Sequence, residues 1–223
     1  TKARETNTSR PDPAACPVEL QNVTFRYEES DPDILQSLSF SVKEGEQVTL
    51  TGRTGAGKST IFKLLLGLYT PQKGNVLING QPADALSENQ RRKIISCVEQ
   101  NFSMVPGTIL DQITLFDPDI TLEQAQTAAG LTGLDEVIRS FPEDYNTPCK
   151  PGLFSQGQWQ LLSIARAVAT NPRILLLDEI TANLDADTEQ TVLSALNRAG
   201  NGRTVLSISH RLYEKNGGRQ IAI

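Results

Sequence analysis

The chain has 223 residues, of which 21% are charged and 38% hydrophobic, and a net charge of −5. Such a balance fits one sizeable folded domain, or one with an inserted lobe. The negative charge argues against nonspecific nucleic-acid binding, no apolar run approaches the ~20 residues of a membrane helix, and no signal-peptide pattern opens the chain.

Residues 1–17 are polar and hold Pro11, Pro13 and Pro17, which reads as a linker or tail. The chain starts at Thr1, so it is expected to be a piece of a longer one. Residues 18–27 alternate as a strand does, and "SLSFSV" puts Leu38, Phe40 and Val42 on one face. "QVTLTG" is a further strand that runs into a glycine-rich loop, and "KSTIFKLLLGL" then reads as a helix. "NVLING" and "IISCV" are strand candidates. Between them, Ser87 and Gln90 have capping spacing, and the run Arg91–Lys93 reads as a solvated helix face.

From about residue 107 to 146 the texture becomes that of a small helical lobe, with Thr121 and Gln124 at capping-box spacing. A helix follows from Trp159, with Leu161, Leu162, Ile164, Ala165 and Val168 at helical spacing. Then come the strand "RILLLDE", a helix over 188–198 and the strand "RTVLSIS". Apolar strands alternating with helices imply an α/β domain with a buried, largely parallel sheet. Cys16, Cys97 and Cys149 are scattered and odd in number, which argues against a disulfide framework or zinc site and fits a reducing cytosol.

"GRTGAGKST" contains Gly52-x-x-x-x-Gly57-Lys58-Ser59. The backbone N–H groups of such a loop point inward at phosphate oxygens, and the helix behind it adds its positive end. Lys58 would neutralise the β- and γ-phosphates and Ser59 would offer its hydroxyl to Mg²⁺. Downstream, the apolar strand "ILLLDE" ends in Asp178, suited to hold Mg²⁺ through water, and Glu179, suited to orient or deprotonate an attacking water.

In this order the motifs resemble the nucleotide-binding domain of ATP-binding cassette (ABC) transporters, over residues 18–210. The resemblance implies a P-loop NTPase core with a mostly parallel sheet. It adds an antiparallel β subdomain near the N-terminus and an inserted α-helical subdomain at about residues 101–170. Residues 1–17 would be the tail and 18–223 the ATPase domain, with "GGRQIAI" a shortened remnant of the strands that usually follow. ATP and Mg²⁺ are the implied ligands, held at Gly52, Arg53, Thr54, Gly55, Ala56, Gly57, Lys58, Ser59 and Thr60.

"FSQGQ", that is Phe154, Ser155, Gln156, Gly157 and Gln158, looks like the family's signature motif. The resemblance implies that two such domains pair head to tail and that the signature of one closes over the γ-phosphate bound by the other. A helix start with free N–H groups suits that task, and Gly157 would let the phosphate approach. Ser155 and Gln158 also have the spacing of a capping box, which needs no ligand but leaves Gly157 unexplained. Trp159 is expected to pack the signature helix.

Tyr27 resembles the aromatic that stacks on adenine, with a strand-end tyrosine as the plain alternative. Gln100 resembles the glutamine that reaches Mg²⁺ and the attacking water. Asp185, in "ANLD", resembles the D-loop aspartate at the dimer interface, with a helix N-cap as the alternative. His210, the single histidine, resembles the switch histidine at the γ-phosphate. Glu179, His210, Gln100 and Lys58 would thus be catalytic, and Ser59, Gln100 and Asp178 would serve the metal.

"GTILDQITLFDP" and "RTVLSISHRL" look exporter-like. In that branch a membrane domain precedes the cassette on the same chain, placing this part at the cytoplasmic face of the cell membrane. Partners would be a second ATPase domain, identical or related, and the membrane domain, with no nucleic acid. One departure is "NTPCKPGL" before the signature, where exporters carry an acidic loop and this chain has Lys150. The competing readings are a nontransport ABC ATPase in DNA repair or translation, and a regulatory cassette without turnover.

Overall fold

The structure, a computed structural model, describes residues 16–99, 102–178, 184–208 and 218–223. Two sheets and a group of helices build it. β1 (Val18–Phe25) pairs antiparallel with β2 (Leu35–Val42) and with β4 (Lys73–Ile78), and the short β5 (Gln81–Pro82) extends β4. The second sheet is parallel throughout and has the order β6 (Ile95–Val98), β7 (Ile174–Asp178), β8 (Thr204–Ile208), β3 (Gln47–Thr51), β9 (Arg219–Ala222).

The apolar runs of β7 and β8 are continuous because both faces of the parallel sheet are buried. Ile174, Leu176, Leu206 and Ile208 face one core, shared with α1 (Lys58–Leu65) and the antiparallel sheet. Leu175, Leu177 and Val205 face the other, shared with α6 (Gln156–Val168) and α7 (Ala186–Gly200). The period of two in a strand thus sorts one sequence run into two cores. Each fully buried Leu or Ile contributes about 1.5–3 kcal/mol of transfer free energy.

Into the second core also pack α3 (Ile109–Thr114), α4 (Leu122–Thr132) and α5 (Asp135–Arg139), through Ile109, Ile113, Ala125, Ala129, Leu134 and Ile138. Among the described residues, capping boxes start four helices: Ser87 with Gln90 on α2 (Glu88–Ile94), Thr108 with Asp111 on α3, Thr121 with Gln124 on α4, and Ser155 with Gln158 on α6. Each satisfies two backbone donors that a helix start leaves without partners.

The segment "GGRQIAI" forms a strand: β9 runs parallel to β3, from Val48↔Arg219 to Thr51↔Ala222. It supplies partners to the exposed edge of β3, and Arg219 donates to the Glu46 carboxylate at 2.6 Å and the Ser41 carbonyl at 2.5 Å. One expectation changes: the basic run on α2 is not merely a solvated face. Arg91 and Arg92 are half-buried; Arg91 donates to Leu86 O at 2.9 Å, and Arg92 pairs with Asp117 at 3.5 Å.

Candidate functional site

The loop between β3 and α1 is bent by glycines that nothing else can replace. Gly57, at φ 94°, stands at the start of α1, and a Cβ there would come within 2.6 Å of Leu35 and 2.9 Å of Ile34. Gly52, at φ 147°, passes so close to the end of the chain that a Cβ would lie 2.6 Å from the Ile223 carbonyl oxygen. Only glycine accepts such torsions without strain. Arg53, Thr54 and Gly55 are exposed, and the space outside Gly55 is open. Lys58 folds back over the loop and donates to Gly52 O at 2.8 Å and Arg53 O at 2.9 Å. Ser59 is exposed at the first turn of α1, and Thr60 is buried.

Tyr27 follows β1 and lies beside that turn, its hydroxyl 3.1 Å from the Thr60 hydroxyl and accepting from Lys63 at 3.3 Å. Its ring meets Phe25 and Tyr69 edge to face, at 5.1 and 5.2 Å. The Lys63 ammonium lies over the ring at 5.1 Å from its centroid, and the residue remains 38% exposed.

Because the second sheet is parallel, β3, β7, β8 and β6 all end at one edge, the edge at which open α/β sheets bind ligands. The Gly52–Thr60 loop leaves β3 there, and Asp178 ends β7 there, opposite Ile208 of β8. Gln100, Glu179 and His210 lie outside the described residues; in sequence each comes within two residues of the end of β6, β7 or β8. Ser59 and Asp178 are hard oxygen donors of the kind magnesium takes, one or two of them with phosphate oxygens completing the shell. Among the described residues no group of three His, Cys, Asp or Glu could hold a metal. Below the edge, burial, aided by the charges of Asp178 and Glu99, pushes the Cys97 thiol up to about 12, so it stays protonated.

The start of α6 answers why a helix opens Ser-Gln-Gly-Gln. Gln158 N donates to Ser155 Oγ at 3.2 Å and Ser155 N to Gln158 Oε1 at 2.9 Å, a complete capping box. Gly157 is buried against α7, where a Cβ would overlap the methyl of Thr188. Its smallness is therefore required by packing within the fold, before any phosphate is considered. Asp185 is the N-cap of α7 and accepts from Thr188 N at 3.0 Å and Thr188 Oγ1 at 2.7 Å, so its carboxylate fixes the threonine that Gly157 must clear. Those bonds hold the Asp185 carboxyl below the usual carboxylate range. Ser155 and Gln156 are exposed, whereas Phe154 is buried between Phe141 and Trp159 and anchors the helix start.

The segment before Phe154 is held as well. Cys149 N donates to Gly107 O at 2.9 Å and Ile109 N to Thr147 O at 3.0 Å, with Thr108 bridged to Pro148. Lys150 is exposed beside it. Sequence reasoning missed Ile34, Thr188, Gln112 and Arg166. Their roles come from contacts distant in sequence, and of the four only Arg166, between Ala165 and Ala167, stands out locally as a polar residue among apolar neighbours.

Comparison with known proteins follows the same lines. A family model described as ABC transporter matches residues 35–182. The alpha-hemolysin translocation ATP-binding protein HlyB of Escherichia coli O157:H7 is 39% identical over 209 residues, covering 92% of this chain and 30% of the relative. The probable multidrug resistance ABC transporter ATP-binding/permease protein YheH of Bacillus subtilis (strain 168) is 38% identical over 208 residues, covering 92% and 31%. The structure of a bacterial Atm1-family ABC exporter with ATP bound aligns with a TM-score of 0.80 and 35% identity, over 93% of this chain and 37% of that one.

Proposed function

The chain belongs to the ABC transporter family as a nucleotide-binding domain of the exporter type, and from that premise we propose that it binds and hydrolyses Mg-ATP at a head-to-tail interface between two such domains. The observation that carries the reading is the shared sheet edge, where the Gly52–Thr60 loop and Asp178 emerge from neighbouring parts of one parallel sheet. Adenine stacks on Tyr27, and the phosphates lie in the loop against its N–H groups and the start of α1. Lys58 exchanges the Gly52 and Arg53 carbonyls for phosphate oxygens, a stronger charge-assisted contact. Ser59 directly, Asp178 through water, and Gln100 would hold magnesium, which neutralises phosphate charge.

The γ-phosphate then meets the α6 start of the second copy, where the exposed Ser155 and Gln156 offer donors beside the positive end of the helix. Glu179 takes a proton from water as its oxygen attacks the γ-phosphorus. The bond from that phosphorus to the β–γ bridging oxygen breaks, and ADP departs with that oxygen. His210, Gln100 and Lys58 stabilise the charge that develops. Closure and opening of the pair drive a membrane domain joined before residue 18, with residues 1–17 as tether and the lobe at about 101–170 facing that domain. That arrangement sets the cassette at the cytoplasmic face of the membrane. Among the described residues no helix is long and apolar enough to cross a membrane.

Glu179→Gln tests this reading. It is expected to keep Mg-ATP binding and lose turnover by about a hundredfold or more; turnover equal to that of the parent chain overturns the assignment.

A further inference from the structure

We propose that Arg166 is a positioning residue: it pins the segment Phe102–Val105 onto α6, so that the chain just after Gln100 and the Ser155 helix start move as one piece. The inference rests on the functional reading above and adds a residue to it.

Arg166 sits on the same helix that Ser155 caps. Its guanidinium donates to Gln112 O at 2.5 Å and to Ser103 O at 2.9 Å, and lies 4.0 Å over the ring of Phe102. Phe102 in turn stacks on Trp159 at 4.9 Å, and Trp159 meets Phe154 edge to face at 5.1 Å. A row of contacts thus runs from Arg166 back to the first residue of the signature. The same segment is gripped from α3. Gln112, wholly buried, donates to Val105 O at 2.8 Å and accepts from Val105 N at 2.9 Å.

Burial pulls the Arg166 guanidinium down to about 10, against the opposing charge of Glu99. A cation so desolvated is held by the acceptors around it. A lysine cannot replace it: one ammonium does not reproduce a planar fork that bonds two carbonyls while stacking on a ring. Two of the groups that Arg166 fixes, Ser103 O and the Phe102 ring, lie on the chain directly beyond Gln100. The ATP cradle, by contrast, is built on β3 and α1. Losing the fork should therefore displace the segment and spare nucleotide affinity.

The test is steady-state ATP turnover of Arg166→Lys and Phe102→Leu in the whole chain, with Mg-ATP affinity measured separately. Positioning predicts a KM within about twofold of the parent and a kcat lower by about tenfold or more in Arg166→Lys. A smaller kcat loss is expected in Phe102→Leu, where both carbonyl contacts remain. Trp159 is the single tryptophan, and its emission should shift to the red in both variants as its aromatic neighbour moves. An unchanged kcat overturns the proposal. So does a fall in kcat that only tracks loss of folded protein in melting experiments, since that marks a purely structural role. If Arg166→Lys does not fold, the KM-against-kcat split of Phe102→Leu decides. Failure of the parent chain to bind Mg-ATP sinks the functional reading and this inference with it. Binding with normal turnover in both variants sinks this inference alone.

Discussion

Gly157 lies under the side chain of Thr188, so close that a Cβ on the glycine would overlap the threonine methyl. The two belong to different helices, α6 and α7, and their contact sets the distance between the Ser155 and Asp185 caps. Overpacking at a well-fitted contact costs about 1–3 kcal/mol. Gly157→Ala should destabilise the chain by about that amount. Thr188→Ser removes the methyl and keeps the hydroxyl that donates to Asp185. The double variant should therefore recover most of the loss, with a coupling energy of about 1 kcal/mol or more in denaturant titrations. Independent, additive effects would show that the glycine is needed for some other reason, such as phosphate approach.

Lys58 has its ammonium on two carbonyls of its own loop. Lys58→Met removes a surface cation and two half-exposed bonds, so stability should move by less than about 1 kcal/mol. Mg-ATP affinity should fall by at least about tenfold, because the phosphates lose a charge-assisted donor. Calorimetric titration separates the two effects, and retained affinity would remove Lys58 from the site.

Acid should loosen the helical lobe through Asp135. Burial opposes ionisation of its carboxyl, but the Arg139 guanidinium and the Tyr145 hydroxyl outweigh it and hold the group below the usual carboxylate range. Tyr145 is buried and donates to Asp135 at 2.6 Å. A carboxyl lowered in the folded state contributes stability that is present above its ordinary range and lost as the pH falls toward the lowered value. Tyr145→Phe should therefore cost about 1–2 kcal/mol at neutral pH. The difference from the parent should shrink on acidification below the ordinary aspartate range. A difference independent of pH would mean that the hydroxyl contributes nothing through that charge.

The parts legible in the sequence are those whose cause is local. Alternation in "SLSFSV", the glycines of the loop before α1 and the spacing of Ser155 with Gln158 are each decided within a few residues, and strand, loop and cap form as their chemistry dictates. The bend at Gly57 is different in kind. Its φ could be anticipated, but the methyls of Ile34 and Leu35 that forbid a side chain there come from β2 and the residue before it. The same holds for β9, whose residues make a strand only because β3 offers an unpaired edge. Arg91 and Arg92 read as solvent-facing until the carbonyls and carboxylate that receive them are brought near by the fold. Of the candidate site, the cradle and the helix start were readable as motifs; the reason for Gly157 was not, since Thr188 belongs to another helix.

The most direct test of the clamp between two copies is a cross-link across it. Two singly substituted populations, Thr54→Cys on the cradle and Gln156→Cys on the signature turn, are mixed in a Glu179→Gln chain with its native cysteines replaced. A short thiol-specific cross-linker is added with and without Mg-ATP. The account predicts a mixed cross-linked dimer that forms with Mg-ATP and is absent without it. Full occupancy by Mg-ATP with no nucleotide-dependent Thr54→Cys to Gln156→Cys product would contradict it.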